Sequence, residues 1–485
     1  MDIYGFIDRI KGLCHVNGLS NQASEEVVVR NLFLYKILCD RNGGTGDDLL
    51  IKPGDRITEA GSFPVWLDET FARISGYPEN EEKYPDGILQ PIMSFVDEMD
   101  QGTFYKGILD IFAESASLLL SGDGDYFGTV FEYLIQDYNV ASGRYAEYYT
   151  PMEISDIIAR IVTAGGDQRE HLSVYDPSAG TGTLLLALKR QLHNPVVFGQ
   201  DISQKSMELL QLNFLLQNTN GTARRGNTLS HPYFTGPFDY IVSNPPFKTD
   251  FSFIRDDLEK SGDYPFGIPQ VPVKKKESMP IYLCFIQHVL RTLSARGRAA
   301  IVVPLIFLST QGEIESAIRR YIIEQRILQG VLVMPKNTFA NTGTKVAVVF
   351  LDKSGCPEPA LLDVSGEGHS VKKGGISRTA FGEEGAEHIV SRFFNEESIR
   401  ISYERISEKD GSFLPGAYID AFAGRKVIDD AEWAVKRAEY SRQLNTLLQQ
   451  EAYWNTKLLT LISLSEEERG RELWTDTQGL APKKN

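Results

Sequence analysis

No apolar run in this 485-residue chain approaches the roughly 18 to 20 residues needed to span a bilayer. A bundle of membrane-spanning helices is therefore not expected. The opening MDIYGFIDRI lacks the basic and apolar stretches of a secretory signal, and the protein is expected to be cytoplasmic. Cysteine is scarce: Cys14, Cys39, Cys284 and Cys356 are scattered, and none has a neighbour at metal-ligand spacing. That excludes a disulfide framework and gives no candidate metal site. Excess positive charge is also missing. With 50 Lys and Arg against 65 Asp and Glu the net charge is −15. Nonspecific affinity for a nucleic-acid backbone comes largely from basic surface. A nucleic-acid substrate would thus require either a local basic cleft or a partner that grips the backbone. Lys274-Lys275-Lys276 and Lys372-Lys373 are clusters, not a stripe, which favours the partner.

What is present is an ordinary soluble composition, 42% apolar and 24% charged, on a chain long enough for two or three domains. Three are read: a helical block over 1–141, an α/β domain over 142–421 and a helical segment over 422–485. In the first, helices are expected over 25–40, 64–74, 88–97, 105–120 and 128–138. After Ser142, short apolar runs alternate with helical patterns, the signature of a parallel α/β sheet. Strands are expected over 172–175, 196–199, 240–242, 299–303, 327–333 and 346–351. Helices are expected near 154–163, 183–192, 204–217, 280–293 and 313–324. The stretch 247–279 has little periodicity, and a loop of about 30 residues inside a domain tends to be functional. It is read as a lid or substrate contact. The stretch 356–424 reads as loop-rich. Leu444, Leu447, Leu448, Leu458, Leu461 and Ile462 then recur at helical spacing around Tyr453 and Trp454. They predict one long helix or a hairpin with an apolar stripe to bury.

Three motifs carry chemistry. Asp176-Pro177-Ser178-Ala179-Gly180-Thr181-Gly182 follows a predicted strand and opens a predicted helix. Its glycines let a ligand approach the backbone, but only G-x-G is present, not the G-x-G-x-x-G of a pyrophosphate site. The carboxylate of Asp176 suits a cationic ligand such as S-adenosylmethionine; a nucleotide site or a structural turn remain alternatives at this motif. Asp201, ending the next strand, is placed to accept from ribose hydroxyls, or else to face a helix N-terminus. Asn227 and Thr228 follow a further possible strand and are candidates to bracket an adenine ring.

The third motif, Asn244-Pro245-Pro246-Phe247, follows the strand ending at Val242 and Ser243. It therefore sits at the carboxyl edge, where open α/β sheets bind ligands. An exocyclic base amine is a poor nucleophile because its lone pair is delocalised. The Asn244 side-chain oxygen and the Pro245 carbonyl accept its hydrogens and direct that lone pair at an electrophilic methyl group. Two prolines stiffen the turn, giving preorganised acceptors, and Phe247 offers a face for a flipped base. No cysteine is near, which argues against covalent attack on a pyrimidine ring.

In this order the motifs resemble those of the modification (HsdM-type) subunit of type I restriction–modification systems, a family of adenine-N6 DNA methyltransferases. Tyr149-Thr150-Pro151 looks like that family's leading cofactor motif, and Gly199-Gln200-Asp201 like its ribose-binding turn. Gly226-Asn227-Thr228-Leu229 resembles its G-D-T-L motif, with Asn227 where aspartate is common. The stretches 299–304 and 327–339 follow its later pattern. The resemblance implies a Rossmann-like S-adenosylmethionine-dependent methyltransferase domain preceded by a helical domain and followed by a helical tail. Its implied contacts to the cofactor (and to the product S-adenosylhomocysteine) are Tyr149, Thr150, Pro151, Asp176, Ser178, Gly180, Thr181, Gly182, Asp201, Asn227 and Thr228. The implied catalytic residues are Asn244, Pro245, Pro246 and Phe247. Implied partners are double-stranded DNA, a specificity subunit that docks on the C-terminal helices, and a restriction subunit in the full complex. The alternatives are an RNA base amino methyltransferase, a cytosine-N4 or protein-glutamine methyltransferase, and a non-catalytic scaffold in a defence complex.

Overall fold

The computed structural model describes residues 3–20, 23–40, 51–57, 64–83, 89–115, 117–118, 150–339, 345–373, 376–419 and 430–463. The chain divides into two compact units, Met1–Tyr418 and Ile419–Asn485. Among the described residues, no helix is long and apolar enough to cross a membrane.

The first unit opens with the helices Ile3–Val16, Ala23–Asp40, Val65–Ser75, Pro78–Lys83 and Gln101–Glu114. In the first of these, Ile3, Phe6, Ile7, Ile10 and Cys14 are buried, one stripe at helical spacing. Ala23–Asp40 is buried almost all round through Val28, Leu32, Phe33 and Tyr35. The helix expected over 88–97 is only the single 3-10 turn Met93–Phe95. Pro91 has no N–H to give, and the Asp68 carboxylate accepts from Ile92 N (2.8 Å) and Met93 N (3.1 Å). A side chain thus takes donors a helix would have used. The helix expected over 105–120 runs instead from Gln101 to Glu114. The one expected over 128–138 lies outside the described residues. The same apolar core continues onto Leu209, Leu212 and Leu216 of the helix Gln204–Leu216. The pairs Lys205–Glu26 (2.7 Å) and Arg30–Glu208 (3.1 Å) flank that contact.

Among the described residues the strands are β1 (Ser173–Asp176), β2 (Val196–Asp201), β3 (Gly221–Arg225), β4 (Phe238–Ser243), β5 (Leu293–Pro304) and β6 (Leu328–Val333). They continue with β7 (Val346–Asp352), β8 (Ala360–Asp363), β9 (His369–Lys373), β10 (Ile376–Ala380) and β11 (Ile399–Arg400). All but the β9–β10 hairpin join one 9-stranded sheet in the order β11-β8-β6-β7-β5-β4-β1-β2-β3. The sheet is mixed, which corrects the expectation of a parallel one. β7 runs antiparallel between β5 and β6, with Ile301 opposite Val349 and Val331 opposite Val349. The link from β6 to β7 carries no crossover helix among its described residues, and only antiparallel neighbours tolerate such a link. β7 is buried at every position, as a strand covered on both faces must be.

The stretch read as loop-rich, 356–424, instead holds β8 to β11 and the helices Gly382–Phe394 and Tyr403–Glu408. Strands of two to five residues carry too little alternation to be legible. Gly382 and Gly385 dilute a helix whose Ala386, Ile389 and Phe393 are nonetheless buried. That helix packs on Met152–Val162, the first helix of the α/β layer. Among its described residues the second unit carries the helix Asp430–Ser463, of 34 residues. Tyr440, Leu444, Leu447, Leu448, Tyr453, Trp454 and Leu458 along it are exposed.

Candidate active site

Strand order decides where ligand chemistry is possible. From β1 the chain proceeds outward through β2 and β3, then returns to place β4 on the other side of β1. The gap between the carboxyl ends of β1 and β4 is a topological switch point, the crevice where such sheets bind ligands. Asp176 ends β1 and Ser243 ends β4, so the first and third sequence motifs open side by side. A cavity of about 320 Å³ lies there.

After Asp176 the chain makes a tight turn closed by Gly182 N–H donating to Ala179 O (2.8 Å). Gly182 then caps the helix Thr183–Gln191 at φ 89°. A Cβ at Gly182 would collide with the Leu210 side chain, so the position admits glycine on both conformational and steric grounds. The Asp176 carboxylate accepts from Ser178 N (2.9 Å). Asp201, at the end of β2, accepts from Gly180 N (3.0 Å) and Ser203 N (2.9 Å). Burial pushes Asp176 up to about 8, with the neighbouring Asp201 charge adding to the rise against the Ser178 N–H. Burial also raises Asp201, opposed by the N–H groups of Ser203, Gly180 and Ile202. Two carboxylates sharing one cavity, offset by N–H groups and the Ser178 hydroxyl (3.4 Å) and by no cationic side chain among the cavity lining, are suited to a cationic, hydroxyl-bearing ligand.

Ten of the sequence-predicted residues line this cavity: Thr150, Asp176, Ser178, Gly180, Thr181, Asp201, Asn227, Thr228, Asn244 and Pro246. Pro151, Gly182, Pro245 and Phe247 do not line it, and Tyr149 lies outside the described residues. Asn227 spends its side-chain oxygen on a turn, accepting from Leu229 N (3.0 Å) and Ser230 N (3.3 Å). Thr228 donates its hydroxyl to Pro177 O (2.6 Å). Both therefore shape the cavity wall through local bonds. Ser178 and Ser243 join hydroxyls at 2.7 Å and tie the glycine-rich turn to the end of β4. Asn244 is buried, and its Nδ2 donates to Thr150 Oγ1 (3.1 Å). Phe247 is half-buried and stands edge-on to the Tyr282 ring (6.4 Å, 80°), which stands edge-on to Phe307.

Sequence reasoning passed over the apolar wall of the cavity, made by Ile202, Phe251, Phe253, Ile281 and Phe285. Ile281 and Phe285 lie four residues apart at the start of the helix Tyr282–Thr292, a spacing that was available to be read. The long stretch after Phe247 is no irregular loop. It carries the helix Arg255–Ser261 and a small core of Phe251, Leu258, Tyr264, Ile268 and Met279 against Leu229 and Phe285. Tyr264 donates to Leu229 O (2.9 Å), and Gln287 bonds Phe266 N (3.0 Å) and Gly267 O (2.9 Å). Outside that one short helix its buried residues follow turns and extended backbone, so they show no period. The segment forms a cap whose Thr249, Asp250, Phe251 and Phe253 face the cavity.

This sheet, with its cavity at the switch point and helices before and after, defines a Rossmann-like methyltransferase core. The family described as N-6 DNA Methylase matches residues 122–426, more than half of the chain. The chain belongs to that family. It is similar to the type I restriction enzyme MpnII methylase subunit of Mycoplasma pneumoniae, 24% identical over 365 residues, covering 70% of this chain and 63% of that relative. It is also similar to the type I restriction enzyme MjaIX methylase subunit of Methanocaldococcus jannaschii, 25% identical over 415 residues, covering 79% and 71%. The chain thus spans 63% of the first relative's length and 71% of the second's. The crystal structure of the type I restriction-modification system methyltransferase subunit from Streptococcus thermophilus matches with a TM-score of 0.66 at 21% identity, over 86% of this chain and 99% of that one. At that identity the likeness is one of fold.

Proposed function

We propose that this chain transfers a methyl group from S-adenosylmethionine to the N6 amino group of adenine in double-stranded DNA. In this reading it is the modification subunit of a type I restriction–modification assembly, an adenine-specific DNA methyltransferase. A specificity subunit selects the target, and a restriction subunit joins the complete complex. The observation that carries the reading is Asn244, buried at the cavity wall with its amide nitrogen spent on Thr150. No described residue donates to its Oδ1, which leaves that oxygen available as the acceptor that a base amine requires.

The residues present fit the cofactor. Asp176 and Asp201 are carboxylates held above their ordinary pKa by burial, a cost that a cationic ligand relieves. Ile202, Phe251, Ile281 and Phe285 supply apolar surface for a purine ring. When bound, S-adenosylmethionine supplies the electrophilic methyl group. Asn244 Oδ1 accepts from the amine and localises its lone pair. Pro245, which does not itself line the cavity, and Pro246 carry no N–H and a restricted φ, so the turn that holds Asn244 is fixed before reaction. The net charge of −15 and the exposed stripe of Leu444, Leu447, Leu448 and Trp454 support assembly with partners: the stripe offers a docking face for a specificity subunit, and the charge leaves DNA gripping to that subunit.

The test is labelled methyl transfer onto DNA and RNA, with and without co-expressed specificity subunit, followed by digestion to nucleosides. N6-methyladenine in DNA, formed only with the partner, is the expected result. Transfer to isolated RNA by this chain alone, or a methylated cytosine product, would overturn the proposal.

A further inference from the structure

The cavity itself offers nothing to a phosphate. Its described lining holds the carboxyl groups of Asp176, Asp201 and Asp250 and no lysine, arginine or histidine. On a chain of net charge −15 the long-range field does not attract an anion either. Yet a base that leaves its duplex to reach a pocket brings its sugar and both flanking phosphates to the rim. Cations just outside the mouth would offset that repulsion.

The cavity opens to solvent at Asp250 and Phe253, which line it and are exposed. Beside them runs the last part of the capping segment. Thr249 N–H donates to Met279 O (3.1 Å), and Met279 is buried in the small core of the cap. The 3-10 turn Lys276–Ser278 precedes Met279. It is closed by Met279 N–H donating to Lys276 O (3.1 Å) and by Ser278 N–H donating to Lys275 O (2.9 Å). Such a turn rises about 2 Å per residue, so the Lys276 backbone lies about 6 Å from Met279. Its charge reaches the mouth. The Ser252 hydroxyl and N–H hold the Asp250 carboxyl below its ordinary range, and Lys276 adds to that.

We propose that Lys274, Lys275 and Lys276 bind the backbone phosphates beside the adenine that enters the cavity. The proposal rests on the DNA reading above and adds where this chain itself touches the strand. All three lysines are exposed, and none has an ion-pair partner among the described residues. Glu277 and Asp250 offset only part of their charge, and Lys248, exposed between Phe247 and Thr249, adds a fourth cation. The backbone bends at Val273 and Lys274 and turns left-handed at Lys275 (φ 60°). The three lysines therefore follow a curve, held by the bond from Ser278 N–H. An ammonium on a flexible stem is a point charge that meets phosphate without reading a base. Three such contacts are too few to hold a duplex. Affinity and target choice stay with the specificity subunit, and the lysines seat the strand at the mouth.

The experiment uses the assembly with its specificity subunit. The natural assembly must first form N6-methyladenine in DNA; failure there overturns the functional reading, and the proposal with it. Affinity for a labelled duplex carrying the methylated site is then measured by fluorescence anisotropy over about 50 to 200 mM KCl. One variant combines Lys274→Gln, Lys275→Gln and Lys276→Gln; a second places Arg at the same positions. Each phosphate contact adds about 0.9 to the slope of log affinity against log salt. The Gln variant should lose about two to three in slope and bind at least roughly tenfold more weakly at low salt. The Arg variant keeps the slope. Cofactor affinity and the rate at saturating DNA are retained in both, as for loss of uniform binding. Methylphosphonates at both phosphates flanking the target adenine should weaken binding to the natural assembly and leave the Gln variant unaffected. An unchanged slope in the Gln variant overturns the proposal. Loss of the specificity subunit from that variant in sedimentation overturns it too, since the triplet would then be a protein contact. Equal methylphosphonate penalties in both proteins also overturn it, because the lysines would then meet the backbone elsewhere.

Discussion

With Asp176 receiving the cofactor as proposed, cofactor affinity is expected to depend on pH below neutrality. In the ligand-free chain burial holds it at about 8, far above an ordinary carboxylate. A cationic ligand binds the ionised form, so affinity must rise with pH until Asp176 is fully ionised and then level off. With that pKa roughly 1% of the chain is ionised at pH 6 and roughly 10% at pH 7. Affinity for S-adenosylmethionine is therefore expected to improve roughly fivefold to tenfold over that one unit. The window lies below the titration of the ligand's own amino group, near 8 for an ordinary α-amine. Binding at pH 7 is also expected to release close to one proton, about 0.9, because ionisation accompanies capture. Calorimetry in buffers of different ionisation enthalpy reads both quantities in one set of titrations. Asp176→Asn is the control: it keeps an acceptor for Ser178 N–H but has no proton to lose at that position, so its weaker affinity should rise less steeply from pH 6 to 7, Asp201 being the raised carboxylate that remains. A flat profile in the natural chain, or an equal slope in Asp176→Asn, would refute the reasoning.

Asn244→Ala is expected to lower the methyl-transfer rate by about 100-fold to 1000-fold, as for loss of one preorganised acceptor or donor. Its cofactor affinity should stay within about twofold in calorimetry, since the change leaves both carboxylates untouched. Gly182→Ala forces a left-handed backbone and a collision with Leu210; about 2 kcal/mol or more of stability should be lost, together with cofactor affinity, in urea unfolding and binding assays. Arg319 is buried and donates to Gly411 O (2.9 Å), Phe307 O (2.7 Å) and Thr310 O (2.6 Å). Arg319→Met leaves those carbonyls without their donor and should cost about 3 kcal/mol, read as a lower urea midpoint; an unchanged midpoint would show that the carbonyls find other partners.

The motifs were legible because each is a short contiguous stretch whose chemistry does not depend on distant contacts. A carboxylate at a strand end, glycines where the backbone must turn left-handed, and paired prolines behind an asparagine keep their meaning wherever the sheet places them. The alternation of apolar runs and helical stripes was legible for the same reason, since burial of each face is written into local spacing. The same logic explains the failures. The expected helix over 88–97 lost its donors to Asp68, 24 positions from Ile92, and no local pattern announces such a competitor. The cap after Phe247 buries Phe251 and Tyr264 from irregular backbone on either side of the short helix that carries Leu258, so its core has no period to detect. The T-shaped contact of the half-buried Phe247 with Tyr282 is likewise set by the packing of the helix Tyr282–Thr292, which no local pattern announces.

By itself the sequence determined the α/β class of the catalytic region, its helical flanks, and the residue types at the carboxyl edges of β1, β2 and β4. Tertiary structure alone decided that β7 runs antiparallel, that β1 and β4 are neighbours, and that Asp176 and Asp201 line one cavity. It also decided that Thr150 meets Asn244 across 94 residues. The physical reason is range. Propensity, periodicity and turn chemistry act over a few residues, whereas strand order, desolvation of a carboxylate and the partner of a buried amide are set by segments that meet only when the chain has folded.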